Sequence, residues 1–203
     1  MKGISWQSIK TGIIAVDVDT HAGKISEAMI ASLLLYGMML VLAIVGAGKL
    51  KNKKQLLKKM GLRDVPVARG IAIAVVYVLI LFSITIILST LISSLGYEAD
   101  VERTSDIIVQ ISIIEVMTVL IVASFVEEFF FRGFLQTRTN LWVAAAVFAF
   151  FHIGYGSFTE VIGAFVLGAI LGIEFKRTKS LFSPILTHLM YNLITVILMF
   201  SFV

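Results

Sequence analysis

Long apolar runs alternate with short polar turns along most of this chain. The runs cover about 28–48, 70–95, 107–126, 141–153, 158–175 and 184–203. A helix needs about 20 residues to cross the apolar core of a bilayer, because each residue advances it by about 1.5 Å. The fourth and fifth runs are short by this measure. The pattern predicts an all-α membrane protein, with about six transmembrane helices in a single domain over 28–203.

The composition supports the same class of protein. Hydrophobic residues make up 59% of the 203 residues and charged residues only 15%, whereas a soluble domain is about 45–50% apolar. The chain contains no cysteine. Disulfides, thiolate catalysis and cysteine-ligated metals are therefore excluded.

The net charge of +4 arises from short loops between the runs. Eight lysines and arginines lie in 49–69, and further basic residues lie in the turns near 132–140 and 176–180. These loops share one side if all six runs cross, and the positive-inside rule makes that side cytoplasmic. The basic residues are therefore topology signals, and we predict no nucleic-acid partner. Residues 1–27 lack a signal-peptide pattern and form either an interfacial segment or a loosely ordered terminus.

Six residues in the C-terminal half are costly to place in a membrane. Two carboxylates, an arginine, two histidines and an asparagine lie within or beside the apolar runs: Glu127, Glu128, Arg132, His152, His188 and Asn192. An ionisable group in such a place costs several kcal/mol unless it is paired or neutralised. The set indicates a buried reaction site in the region 107–203.

The third run continues without a helix breaker to about Arg138, which predicts one long helix. Glu128 and Arg132 are four residues apart on that helix, so they share a face and can pair. Glu127 is rotated by about 100° and remains available as a base. Taken alone, the three residues are equally compatible with a charge cluster at the end of the helix.

His152 matches Glu127 in depth. If the chain turns near Thr139 and Asn140, each lies about 12 residues, or ~18 Å, from that turn. Phe148 shares the face of His152 and is expected to pack beside it. A lone histidine on an apolar helix is more often a core residue, but a carboxylate at the same depth favours a functional role.

His188 and Asn192 lie four residues apart on the last run, after Pro184, which suits the first turn of a helix. Alone, this pair is typical of hydrogen bonding between membrane helices. With Glu127 and His152, it predicts one polar pocket open to the cytoplasm. Glu160 and Glu174, near the ends of the fifth run, are expected to be interfacial, and Gly163, Gly168 and Gly172 to serve close helix packing. The sequence indicates no role for Glu115.

Three short motifs formed by these residues resemble those of the CPBP family, the CAAX proteases and bacteriocin-processing enzymes. Glu127-Glu128 with Arg132 resembles its EExxxR motif, Phe148 to His152 its FxxxH motif, and His188 to Asn192 its HxxxN motif. The resemblance covers about 125–195 and includes type II CAAX prenyl endopeptidases. It implies hydrolysis of a peptide bond within the membrane. The short chain favours a bacterial or archaeal member in the plasma membrane.

The residue types then predict roles. Glu127 takes a proton from a water that His152 holds, and His188 and Asn192 donate hydrogen bonds to the oxyanion. Either no cofactor is needed, or a zinc ion is held by Glu127, His152 and His188.

Two non-catalytic alternatives remain at this stage. One is a bacteriocin-immunity or scaffold protein of the same fold, and the other is a proton-coupled transporter. The expected partners are membrane lipid and a peptide or prenylated peptide, admitted from the bilayer past Phe129, Phe130 and Phe148.

Overall fold

The computed structural model describes residues 27–47, 58, 60–63, 65–96 and 112–201. These residues form α1 (Glu27–Ala47), α2 (Val67–Ser94), α3 (Ile113–Glu127), a π-helical segment (Glu128–Gln136), α4 (Leu141–Phe151), a 3-10 turn (His152–Tyr155), α5 (Phe158–Thr178) and α6 (Phe182–Ser201). The described part contains no strand, so the all-α prediction is confirmed. The predicted interfacial segment 1–27 lies, apart from its last residue, outside the described residues.

Four helices, α1, α2, α5 and α6, are long and apolar enough to cross a membrane. Their outer faces expose large apolar side chains; Leu34 on α1 and Leu79 on α2 are 70% and 63% exposed. Exposure of such surfaces to water is unfavourable, whereas their contact with lipid acyl chains is not. The chain is therefore a membrane protein. α4 has only 11 residues, in keeping with the short fourth run.

Local sequence sets the ends of the helices around the site. The Asn140 side chain accepts hydrogen bonds from the backbone N–H groups of Trp142 and Val143, at 2.9 and 3.0 Å, and so begins α4 at the predicted turn. Ser157 caps α5 in the same way, at 3.0 Å from the Glu160 nitrogen. Pro184 lies in the first turn of α6, as predicted.

Helices α4 and α5 form the closest pair in the bundle, and α2 packs on α6. A glycine permits the α4–α5 contact: a Cβ on Gly168 would lie 3.2 Å from the Ala145 Cα and 3.3 Å from the Phe148 ring. Gly163, on the same helix, has open space at the Cβ position. Close packing is therefore confirmed at Gly168, whereas Gly163 lies beside a cavity.

Several turns meet at one end of the bundle, which we call the basic end. The Leu181 N–H donates to the Gly61 carbonyl oxygen at 2.9 Å, and a Cβ on Gly133 would contact both Met60 and Leu181. All exposed lysines and arginines that the structure describes lie in the segments that meet here or in the adjoining helix turns: Lys58, Arg63, Arg69, Arg138, Lys176, Arg177 and Lys179. The common location of the basic loops follows the sequence prediction.

The opposite end, which we call the far end, is formed by the C-terminal ends of α2 and α6, the start of α3 and the 3-10 turn before α5. Between the two ends, the half nearer the basic end is densely filled. Phe131, Phe148 and Leu171 are each at most 1% exposed there. This packed half supports the charged residues of the site.

Candidate active site

Glu128 organises a buried charge cluster. Its Oε1 atom accepts a hydrogen bond from Arg132 Nη1 at 2.6 Å and lies 2.9 Å from His188 Nδ1. Arg132 also donates from Nη2 to the Gly168 carbonyl oxygen at 3.2 Å. Glu128 and Arg132 are 0% and 1% exposed. The structure therefore shows the predicted Glu128–Arg132 pair, and it adds a bond to the histidine of the last helix.

The hydrogen bond between Glu128 and His188 determines which nitrogen of the His188 ring carries the proton. A carboxylate oxygen accepts, so Nδ1 carries the proton that faces Glu128. Nε2 then faces the other carboxylate, 3.9 Å from Glu127 Oε2. That separation is too long for a direct hydrogen bond but leaves room for a water that bonds to both groups. The cluster thus fixes both the tautomer and the orientation of His188.

The glutamate pair lies where the helix changes its hydrogen-bonding register. α3 ends at Glu127, and the π-helical segment begins at Glu128 and runs to Gln136. π-helical turns are rare and occur frequently at functional sites. The predicted continuous helix to about Arg138 is present, but its second part has π-helical rather than α-helical hydrogen bonds. No side-chain pattern in this run distinguishes i→i+5 from i→i+4 bonding.

Glu127 has different partners from the Glu128–Arg132 pair. Its side chain is 13% exposed, and a hydrogen bond links it to the Tyr36 side chain of α1. Tyr36 is 9% exposed and packs in the core around α3. This tyrosine was not predicted, because the first run contains no motif. Its hydroxyl within a largely apolar run was the available signal.

His152 is held from behind by the residue four positions earlier. Its Nδ1 lies 2.9 Å from the Phe148 carbonyl oxygen, which can only accept, so Nε2 is the nitrogen that carries the lone pair in the neutral ring. The Phe148 ring packs 4.6 Å from the His152 ring and 6.0 Å from the His188 ring, between centroids. Phe148 thus supports both histidines, as was expected for His152.

One cavity of about 330 Å³ connects these groups. Its wall includes Glu127, His152, His188 and Asn192, together with Tyr36. The remainder is mostly apolar, with hydroxyl groups from α2, α5 and α6. The structure therefore brings the four predicted residues to a single cavity. Small concave sites with a few convergent polar groups are the usual form of an active site.

The three phenylalanines predicted to line a substrate entrance lie elsewhere. Phe148 is fully buried, Phe130 is 8% exposed in the core, and Phe129 stacks on Phe125. None of the three is among the described residues on the cavity wall. Their contact with a substrate stays a prediction, and their observed contacts are structural.

The cavity extends away from the basic end. Its wall runs from Glu127 and His188 towards Ser89, Thr159 and Met199 at the far end. The reason is packing: phenyl rings and Arg132 fill the basic half behind His188. The position of His188 near the start of its helix did not reveal which way the space extended. The predicted opening to the cytoplasm stays a prediction.

Glu174 corrects a further expectation. It was predicted to be interfacial but is 0% exposed. Ser183 donates a hydrogen bond to its Oε1, and Thr187 donates to the same atom at 2.9 Å. Glu160 is half-buried and lies on the cavity wall. Both carboxylates point into the bundle because α5 packs inside it, which its sequence alone did not indicate.

The predicted zinc ligands do not form a metal-binding group in the structure. Among the described residues, no set of three or more histidine, aspartate or glutamate side chains is placed to hold a metal ion. His188 and Glu127 are near each other, but a tetrahedral zinc site needs at least three protein ligands. We therefore derive no chemical step through a metal.

The part of the chain that carries the site resembles a known protein family. Residues 109–194 match the family model described as "Type II CAAX prenyl endopeptidase Rce1-like". This range holds all six predicted site residues. Over this range the chain is similar to the Rce1-like family, which confirms the predicted resemblance.

A curated relative from Bacillus subtilis (strain 168) matches a shorter stretch. The protein, named "Uncharacterized protein YpbD", is 35% identical over 78 residues, which is 38% of this chain and 41% of YpbD. The match thus spans about two fifths of the relative's length. No solved structure matches the chain. The family supports a CAAX-type protease fold in a membrane protein.

Proposed function

We propose that this protein is a membrane endopeptidase that uses water activated by Glu127. The family match supports a protease of the CAAX type. The observation that carries the finer proposal is the convergence of Glu127, His152, His188 and Asn192 on one cavity. A water between Glu127 and the histidines would lie in an environment of low dielectric, where a carboxylate is a stronger base than in water.

The proposed reaction balances in two steps. Glu127 removes a proton from a water that the lone pair of His152 Nε2 holds, and the resulting hydroxide forms a bond to the peptide carbonyl carbon. The electron pair of the C=O bond moves to the oxygen. Glu127 then transfers its proton to the peptide nitrogen as the C–N bond breaks. The C=O bond re-forms in the same step, so the first products are a carboxylic acid and an amine, and Glu127 returns to its charged form. The acid then gives its proton to the amine, which leaves a carboxylate and an ammonium group.

We assign the stabilisation of the oxyanion to His188 and Asn192. The Asn192 amide can donate a hydrogen bond, and in its doubly protonated form His188 donates from Nε2. Oxyanion donors of this kind contribute roughly 10²–10³ in rate when they are held in place beforehand. Glu128 and Arg132 supply that placement, since the pair fixes His188 through Nδ1. We assign them a positioning role.

A membrane location is consistent with a substrate that carries its own apolar anchor. A prenyl group or an apolar peptide segment contributes ~0.8 kcal/mol per buried CH₂, so it would hold the scissile bond at the bilayer boundary. The Bacillus relative and the four long apolar helices favour a bacterial cell membrane that the helices cross several times. The proposed partners are therefore membrane lipid and a peptide.

A cleavage assay tests this proposal. The purified protein in detergent is incubated with a prenylated CAAX peptide, its unprenylated twin and a mixed-sequence peptide library, with and without chelator, and the products are identified by mass. We expect defined cleavage that persists with chelator. His152→Ala should abolish it, whereas His21→Ala, at the remaining histidine, should retain it. Equal cleavage by both variants, or cleavage of no peptide by the wild type, would contradict the proposal.

A further inference from the structure

We propose that the active site receives its substrate from the extracytoplasmic side, so that the substrate class is a segment of an exported or membrane-anchored polypeptide. The inference rests on the proposed function for its chemistry and on the position of the cavity for its direction. It departs from the expectation of a pocket open to the cytoplasm.

The positions of the wall residues along the helices carry the argument. On α2 they are Thr85, Leu88 and Ser89, which lie at least 18 residues, or ~27 Å, beyond the start of the helix at the basic end. On α5, which runs in the opposite direction, they fall between 159 and 167, in its first half. Both helices thus contribute only the half that is remote from the basic end.

The last helix shows how far the cavity reaches. His188 is six residues into α6, about 9 Å from its basic end, and Met199 is about 26 Å from it. Both residues line the cavity. The cavity therefore begins at the catalytic groups, one third of the way through the bundle, and extends along the remaining length to the far end.

The other direction is blocked by side chains. The Arg132 guanidinium lies 4.8 Å from the centroid of the Phe148 ring, and Phe131 packs edge-on against the same ring at 5.0 Å. Beyond them, Glu174 is enclosed with Ser183 and Thr187. A peptide cannot reach Glu127 through this layer without displacing a buried ion pair, which is strongly unfavourable.

The charges indicate which side each end faces. All exposed lysines and arginines in the described segments lie at the basic end, whereas the described part of the far end carries Glu115 and Glu160. The sequence between α2 and α3, residues 97–111, contains four carboxylates and one arginine. The positive-inside rule places the basic end in the cytoplasm. The cavity then faces outwards.

Cysteine labelling tests the direction on the full-length protein in intact cells, since the natural chain has no cysteine. Two single-cysteine variants probe the two ends of α5. Gly154→Cys lies in the exposed 3-10 turn at the far end, where an added Cβ meets nothing within 4 Å. Arg177→Cys is its matched control in the exposed last turn of the same helix. The probe is a membrane-impermeant charged maleimide, applied before and after permeabilisation.

We expect Gly154→Cys to react fully in intact cells, and Arg177→Cys to react at least tenfold less until the membrane is permeabilised. The reverse pattern, or equal labelling of both variants in intact cells, would overturn the inference. Labelling does not depend on catalysis, so these results stand whether or not the cleavage assay succeeds. Cleavage in detergent together with reversed labelling would refute only the direction. The expected labelling without cleavage would refute only the proposed function.

Discussion

The two halves of this helical bundle differ in what their helices enclose. Near the basic end, aromatic rings, leucines and the Glu128–Arg132 pair fill the interior, and Phe131, Phe148 and Arg132 are each at most 1% exposed. Towards the far end, the helices separate around a cavity of about 330 Å³. The difference shows how a small membrane protein can hold reactive groups rigidly and still admit a substrate, because a site needs a firmly packed support on one side only.

The largest expected effect is on the buried ion pair. Arg132→Met leaves Glu128 as an uncompensated buried charge, which typically costs about 3–5 kcal/mol in the free energy of unfolding. Arg138→Met is the matched control, since Arg138 is exposed above the Phe134 ring and such a contact contributes about 1 kcal/mol or less. Unfolding in detergent micelles compares the two variants.

Equal destabilisation by Arg132→Met and Arg138→Met would show that the packed half does not depend on the pair. A double variant sharpens the test. Glu128→Gln combined with Arg132→Met should cost less than the sum of the two single changes, because groups in direct contact are coupled.

An intermediate effect is expected at two glycines of α5, one in each half. Gly168→Ala would force its Cβ to within 3.2 Å of Ala145 and 3.3 Å of Phe148, and overpacking of this kind costs about 1–3 kcal/mol. Gly163→Ala meets open space and should be neutral or stabilising by up to ~1 kcal/mol, since alanine favours helices. Thermal unfolding of both variants measures the difference. Equal destabilisation would mean that the halves are packed alike.

The smallest effect concerns the Tyr36 hydroxyl, which we assign to positioning Glu127. Tyr36→Phe should leave stability nearly unchanged but lower kcat by roughly tenfold or more, since a hydrogen bond to a charged group is worth about 1.5–3 kcal/mol. Tyr77→Phe is the control, because the buried Tyr77 hydroxyl has no hydrogen-bond partner in the described part of the chain. A lower kcat in both variants, or in neither, would remove this role.

The sequence predicted the fold class and the identity of the polar residues because both depend on local properties. Apolar runs report helices directly, and the spacing of Glu128 and Arg132 required only helix geometry. The equal depth predicted for Glu127 and His152 required only equal numbers of residues on either side of a turn near Asn140. These predictions needed no knowledge of the tertiary fold, because each concerns a single helix or two helices that are adjacent in the sequence.

Most of the features that were not predicted depended on contacts between helices. The direction in which the cavity extends depends on which halves of α2 and α5 are spaced apart from the neighbouring helices. The sequence of neither run indicates this spacing. Glu174 was assigned to the interface because it lies near a helix end, but partners nine and 13 residues later bury it. Tyr36 reaches Glu127 from a helix about 90 residues earlier. The π-helical register of 128–136 likewise left no side-chain pattern.

Replacing one carboxylate tests the central claim most directly. Glu127→Gln keeps the shape of the side chain but removes the base, so turnover of a cleaved peptide should fall by at least ~100-fold while the unfolding temperature does not decrease. Glu115→Gln, on the same helix but away from the described cavity wall, should cleave at the wild-type rate. Glu127→Gln cleaving at a rate close to that of the wild type would contradict the account.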